Sequence, residues 1–277
     1  MAVTAFQRNI CRLLAAERRR RGESYVAGGI ALGLALATGR VSRDLDLFHD
    51  TTEAVAESWN VDRRILEAQG YQIVPLTERP GFVQATVSRA GEILLVEWVQ
   101  DSAFRFFPLV EDDQLGLTLH PFDLATNKVM ALVGRLEVRD WVDVLACHDR
   151  LQPLGYLAWA ACGKDPGFSP LSLIGHARRS SHYSAEEVAS LDFEGPAPDA
   201  GVLSRSWRIA LDEAGPIVET LPAASVGQAV LTTTGELYRG DAAAAATALR
   251  NDGIRFHAGT IGGAWPSMRE IRRPDRS

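Results

Sequence analysis

Asp44 and Asp46 stand two residues apart in Arg43-Asp-Leu-Asp-Leu-Phe48, a run that alternates charged and apolar side chains as a strand does. Residues i and i+2 of a strand project from one face, so the two carboxylates sit side by side while Leu45 and Leu47 turn to the core. Adjacent carboxylates repel, and a cation between them removes that cost. Mg²⁺ suits such a place, because it prefers oxygen ligands and is commonly held by one or two carboxylates together with substrate phosphates. An isolated Asp-x-Asp is also the ordinary wet face of an edge strand. Here the pair follows Gly28-Gly29 and a short helix whose N-terminal amides can receive a phosphate, which favours chemistry. Glu97 lies within the apolar run Ile93-Leu-Leu-Val-Glu-Trp-Val99, where burial without a partner is costly. Beside Asp44 and Asp46 it completes a triad, as general base on an attacking hydroxyl or as a further metal ligand. On an edge it simply faces water.

A second cluster follows. Lys128 and Arg135 are two helical turns apart on one face, and Asp140 and Asp143 share a face of the next helix. Only Lys128 and Lys164 are lysines in a chain whose other basic residues are all arginine, so a compact ammonium at 128 suits phosphate coordination. The two aspartates orient Lys128 and Arg135, or form surface ion pairs of little consequence.

Holding these groups requires a mixed set of elements. The spacing predicts helices over 4–21, 30–37 and 52–69, with strands over 23–27, 43–48 and 72–74. Phe82–Ser88 and Glu92–Val99 read as a hairpin turned at Ala90-Gly91, and Leu115–Leu119 as a further strand. Helices follow from Phe122 to about 190, with a break near 137–139. A Gly- and Pro-rich linker at 194–201 divides residues 1–193 from a small C-terminal module over 202–277. In that module 228–239 suggests two strands about a Thr-Thr-Gly-Glu turn, 241–251 a helix and 254–257 a third strand; Gly259–Gly263 reads as a turn. The fold class expected is α+β.

A net charge of −6 argues against a globally basic nucleic-acid binder while leaving local basic faces open. Three such faces are Arg18–Arg21, Arg178-Arg179 with His176 and His182, and the tail around Arg269–Arg276. The longest apolar run, Ala27–Thr38, is shorter than the roughly 20 residues a bilayer requires, so no membrane partner is expected. Three cysteines without a Cys-x-x-Cys pair point to a reduced, cytoplasmic protein. No histidine spacing suggests zinc.

Taken in order, Gly28-Gly29-x-Ala31-Leu32, Arg40-x-Ser42-x-Asp44-Leu-Asp46-Leu-Phe48, Glu97, Lys128-x-x-Ala131-Leu132-x-x-Arg135 and Arg139-Asp140-x-x-Asp143 resemble the AbiEii-type nucleotidyltransferases. These are toxins of bacterial toxin–antitoxin and phage-defence systems within the DNA polymerase β-like superfamily. The likeness spans about residues 20–150. It implies a polymerase β-like core, a small mixed sheet with flanking helices, followed by a helical region and the C-terminal α/β module. It implies Mg²⁺-dependent transfer of a nucleoside monophosphate from an NTP to tRNA or another nucleic acid, with a cognate antitoxin as possible partner. By position Asp44, Asp46 and Glu97 bind metal. Lys128 meets the triphosphate and Asp140 supports the site. Gly28, Gly29, Arg40, Ser42, Arg135 and Asp143 fall in the nucleotide region. Two rivals stand beside this reading: an acceptor that is a small molecule or a protein side chain, and a catalytically silent binding member.

Overall fold

Residues 3–180 and 183–266 of the chain are described by a computed structural model. The first helix, α1 (Ala5–Arg21), begins with a reciprocal cap: the Thr4 hydroxyl accepts from the Gln7 amide, and the Gln7 side-chain oxygen accepts from the Thr4 amide. The spare amide hydrogens of Gln7 reach across to the Ser42 carbonyl, 2.7 Å away, tying α1 to the loop before the aspartates. The four arginines that end α1 complement its carbonyl pole. Arg18 is 1% exposed and donates to the carbonyls of Cys11 and Leu115, while Arg20 and Arg21 pair with Glu17. The expectation that this run faces RNA is therefore corrected for Arg18, whose guanidinium is buried inside the fold. Of the other basic faces, His182 and the tail around Arg269–Arg276 lie outside the described residues.

After β1 (Ser24–Val26), α2 (Gly28–Leu36) starts two residues earlier than the sequence suggests, so both glycines occupy its first turn. Then come β2 (Arg40–Val41), β3 (Asp44–His49) and α3 (Thr52–Ala68), followed by the meander β4 (Gln72–Arg79), β5 (Phe82–Arg89) and β6 (Glu92–Gln100). Ala90 and Gly91 both take positive φ, 52° and 86°, as a tight primed turn between β5 and β6 requires. Three short strands, β7 (Phe104–Arg105), β8 (Val110–Asp112) and β9 (Gly116–Thr118), complete this half.

The central sheet has seven strands in the order β4-β5-β6-β3-β1-β9-β8. It is mixed: β3 runs parallel to β6 and β1 parallel to β9, while the remaining neighbours are antiparallel. The alternation along β3 puts Leu45, Leu47 and His49 on the buried face and Asp44, Asp46 and Phe48 on the other. On β6, Leu94, Val96 and Trp98 share that buried side, where Trp98 meets Trp59 of α3 edge-on at 4.8 Å and donates to the Asp62 carboxylate at 2.9 Å. The α+β expectation, a small mixed sheet with flanking helices, holds.

The helical half begins with α4 (Pro121–Arg135) and α5 (Val138–Arg150), separated at Leu136, which adopts φ 54°. α6 (Leu154–Ala161), α7 (Pro170–Ala177) and the short α8 (Ala185–Ala189) follow. Next, β10 (Asp192–Phe193) returns the chain to β2, pairing Phe193 with Arg40. The next helix, α9 (Ala200–Thr220), has no counterpart in the expected elements. Asp199, within the expected linker, caps it by accepting from the Val202 amide. Its buried Trp207, Ala210, Leu211, Ala214, Ile217 and Val218 form one helical stripe. The stripe packs on α6 so closely that a Cβ on Gly155 would lie 2.8 Å from the Ile217 Cβ and 2.9 Å from the Ala214 carbonyl.

Beyond it, β11 (Gln228–Thr232) pairs antiparallel with β12 (Ile254–Ala258), with α10 (Ala242–Arg250) between them, and β13 (Thr260–Ile261) pairs back to β7. The second strand expected before residue 239 is reduced to a single bridge, Leu231 to Leu237. Apolar packing runs without interruption from the sheet through α6 and α9 to Ala229, Val230 and Leu231. Among the described residues, no helix is long and apolar enough to cross a membrane.

Candidate active site

The polar face of β3 opens into a cleft of about 290 Å³ walled on the opposite side by α4. The parallel register sets Asp46 directly beside Glu97, and Asp44 beside Leu95. Gln84, across β5, donates to Glu97 Oε1 at 2.6 Å and leaves the other oxygen of that carboxylate unclaimed by this bond. Gly28 takes φ 63°, and a Cβ there would lie only 1.6 Å from Asp46 Oδ2. A Cβ on Gly29 would fall 2.6 Å from an Arg40 nitrogen and 2.7 Å from the Ser42 hydroxyl. The glycine pair is thus required by backbone packed directly onto the side chains of the site.

Burial raises the pKa of Asp46 to about 6; the charges of Glu97 and Asp44 add to the rise and Lys128 opposes it. A carboxylate so placed carries an uncompensated negative charge above that pH, the condition a bound cation relieves. Asp44 pairs with Arg139 Nη1 at 3.3 Å. Among the described residues no three His, Cys, Asp or Glu side chains close into a ready-made metal cage. Asp44, Asp46 and Glu97 nevertheless all line the one cleft. Two adjacent carboxylates completed by substrate oxygens are what Mg²⁺ commonly accepts, so the residues fit that ion as a shared rather than a fully protein-held ligand.

Lys128 faces this group from α4. Burial disfavours its charge, but Asp143 and Asp140 more than offset this and hold its pKa above the ordinary lysine value. Its Nζ lies 2.9 Å from Asp143 Oδ2 and 3.1 Å from Asp140 Oδ1. Each aspartate also holds an arginine in a two-point grip. Asp143 takes Arg40 at 2.7 Å through both oxygens, and Asp140 takes Arg135 at 2.6 and 2.9 Å. Both carboxylates are buried, at 0% and 2% exposure, and neither lines the cleft. Both aspartates thus brace Lys128, and Asp143 meets Arg40 and Lys128 behind the cleft wall.

Gly28, Gly29, Arg40, Ser42, Asp44, Asp46, Glu97, Lys128 and Arg135 are all brought to the cleft wall. Arg139 and Asn127 stand there too, without having been singled out for it. An apolar end made by Phe48, Phe82, Val99 and Leu124 completes the cleft. Helical spacing carried the signal for Asn127, which shares an α4 face with Leu124 and Ala131.

No family profile matches the chain, and no curated protein is similar enough to count as a relative. Among solved structures, the chain is similar to JHP933 from Helicobacter pylori at 14% identity and a TM-score of 0.50, covering 76% of this chain and 91% of that one. It is also similar, at 14% identity and a TM-score of 0.47, to MenT4, nucleotidyltransferase toxin Rv2826c from Mycobacterium tuberculosis H37Rv, covering 79% of this chain and 83% of that one. The second alignment is too loose to bear on the argument, and the first speaks to fold alone. The architecture that this likeness covers is the central mixed sheet with its flanking helices.

Proposed function

We propose that the protein transfers a nucleoside monophosphate from an NTP to an acceptor hydroxyl, with Mg²⁺ as the metal, and that tRNA or another nucleic acid supplies the hydroxyl. The observation that carries this reading is the cleft itself: adjacent Asp44, Asp46 and Glu97 on one wall, and a buried, doubly braced Lys128 on the other. Phosphoryl transfer asks mainly for positioning and charge neutralisation, which this arrangement supplies. Lys128 meets the triphosphate as a point charge, and Arg135 and Arg139 line its path. Gly28 and Gly29 let the backbone of α2 come close. Glu97, steadied by Gln84, accepts the proton of the attacking hydroxyl as that oxygen bonds to the α-phosphorus and pyrophosphate leaves. Mg²⁺ at Asp44 and Asp46, when bound, neutralises charge that builds on the phosphates. On the motif resemblance, the physiological setting is a toxin held in check by a cognate antitoxin.

Purified protein with Mg²⁺, total tRNA and each of four α-labelled NTPs tests this. Label in tRNA is the expected result. Pyrophosphate released only in the presence of other cell extract moves the acceptor to a small molecule or protein, a second reading favoured by the burial of Arg18 and the pairing of Arg20 and Arg21 with Glu17. No NTP binding at all ends the transfer reading.

The raised Asp46 pKa adds a pH signature. Below about 6 Asp46 is protonated and a poor ligand, so Mg²⁺ should raise the melting temperature at pH 7.5 and lose that effect as pH falls toward 5. A thermal-shift titration at the two values checks it, and equal shifts at both would remove Asp46 from the metal site.

A further inference from the structure

Among the described residues four cations line the cleft, Arg40, Lys128, Arg135 and Arg139. Three of them are held from behind its wall. Arg40 gives two nitrogens to Asp143 at 2.7 Å, Arg135 gives two to Asp140 at 2.6 and 2.9 Å, and Lys128 meets both carboxylates. Arg139 differs. Its Nη1 donates to Asp44 Oδ2 through a single contact of 3.3 Å, and its Nε pairs with Glu137 at 2.6 Å. Of the four it is the one whose partner, Asp44, is itself a carboxylate of the cleft.

Its place in α5 adds a second observation. Arg139 stands in the first turn, two residues after the cap Glu137, where the helix presents its positive pole and a cation is disfavoured. The helix gains nothing from an arginine there. What the position gives is reach, because the guanidinium bridges Asp44 on β3 and Glu137 at the helix start while the side chain stays 36% exposed. A single contact to a carboxylate that is itself 28% exposed holds weakly. A divalent cation at Asp44 and Asp46 claims the same carboxylate and repels the guanidinium beside it. Arg139 can then keep Glu137 on Nε and turn the freed Nη1 to a phosphate oxygen, the acceptor for which a guanidinium is best shaped.

We propose that Arg139 is a phosphate-binding residue held in reserve by Asp44, and that the divalent cation which takes over Asp44 releases it to the triphosphate. The inference rests on the nucleotidyl-transfer reading. It links metal and nucleotide binding through a side chain of this protein, over and above any phosphate oxygen the metal takes directly.

The test uses the full chain and Mn²⁺, which accepts the oxygen ligands that suit Mg²⁺ and whose free form is counted by electron paramagnetic resonance. Arg139→Gln should bind Mn²⁺ alone about threefold more tightly than the parent protein, the scale of one partly exposed ion pair. Arg135→Gln removes an equal charge from the cleft wall but leaves the Asp44 contact, and it should tighten Mn²⁺ less. Equal tightening in the two variants would reduce the effect to charge alone and overturn the proposal. Weaker Mn²⁺ binding in Arg139→Gln would mean that Arg139 only positions Asp44, and overturns it too. Calorimetry with the tightest-binding of the α,β-methylene analogues of the four NTPs, whose α–β link is not cleaved, then reads the release. In EDTA, Arg139→Gln should bind the analogue within about twofold of the parent, because Arg139 is engaged by Asp44; with saturating Mn²⁺ it should bind about tenfold more weakly. Equal losses with and without the metal, or no loss in either, would show that the cation does not control Arg139. Asp44 and Glu137 are 28% and 43% exposed, so the glutamine strands no buried charge and the variant should melt close to the parent. A parent protein that binds no analogue ends the transfer reading itself. One that binds the analogue but no Mn²⁺ gives Arg139 nothing to yield to, and only this inference fails.

Discussion

Asp46→Asn is expected to abolish nucleotide transfer, by 10³-fold or more on the scale of lost transition-state charge stabilisation. Without metal at pH 7.5 it should also melt at a higher temperature than the parent protein. The two effects have one cause. Burial and the neighbouring carboxylates raise the Asp46 pKa from 3.8 to about 6. Between those values the native state binds a proton that the unfolded chain has released, so stability falls as pH rises through this window. Above about pH 6 the cost is complete, about 3 kcal/mol. The asparagine removes that cost together with the ligand oxygen. Melting curves at pH 4 and 7.5 with and without Mg²⁺, beside a transfer assay, separate these consequences. A variant that still transfers nucleotide, or that is less stable than the parent at pH 7.5, would show that Asp46 is not the strained metal ligand described.

Asp143→Ala is the second large effect, and it acts on stability first. The carboxylate answers Arg40 through both oxygens and Lys128 through one, all within the protein interior. Removing it leaves the buried Arg40 without its carboxylate and Lys128 with Asp140 alone. Breaking a buried pair in this way costs about 3–5 kcal/mol, well beyond a typical surface change. Urea denaturation should show the loss as a lowered midpoint. Asp140→Ala should cost less, because its arginine partner, Arg135, is 43% exposed and can turn to water, whereas the Arg40 side chain is 7% exposed. Equal midpoints for Asp143→Ala and the parent protein would mean that Arg40 finds another partner and that Asp140 alone suffices for Lys128. Both variants should weaken NTP binding by letting Lys128 relax.

Much of the site was legible in the sequence because its residues obey short periods. Asp44 and Asp46 are revealed by a period of two, which Leu45 and Leu47 enforce by seeking the core. Lys128 and Arg135, and then Asp140 and Asp143, are revealed by helical spacing. The pairing that makes Glu97 the neighbour of Asp46 depends on a parallel register between distant strands, and no local pattern encodes that. Asp140 and Asp143 resisted separation for a physical reason: they grip the same ammonium from adjacent turns. The missed α9 carries Gly215-Pro216 near its end, residues that ordinarily punctuate a helix, although Trp207, Ala210, Leu211 and Ala214 already keep helical time before them. Strands as short as β7 and β13 hold only two residues each, too few for any alternation to show.

The way the cleft cations are answered has a consequence for how a nucleotide arrives. Arg40 and Lys128 share Asp143, Lys128 and Arg135 share Asp140, and Arg139 leans on Asp44. Charges matched at contact distance cancel one another a few ångströms away, so little attractive potential reaches past the mouth of the cleft into solvent. An anionic triphosphate approaching this surface is not steered to it. Asp46 and Glu97, which those pairs leave over, repel an anion until a cation is bound, so on the transfer reading the triphosphate would enter together with its metal, and discrimination would fall to contacts made once it is inside.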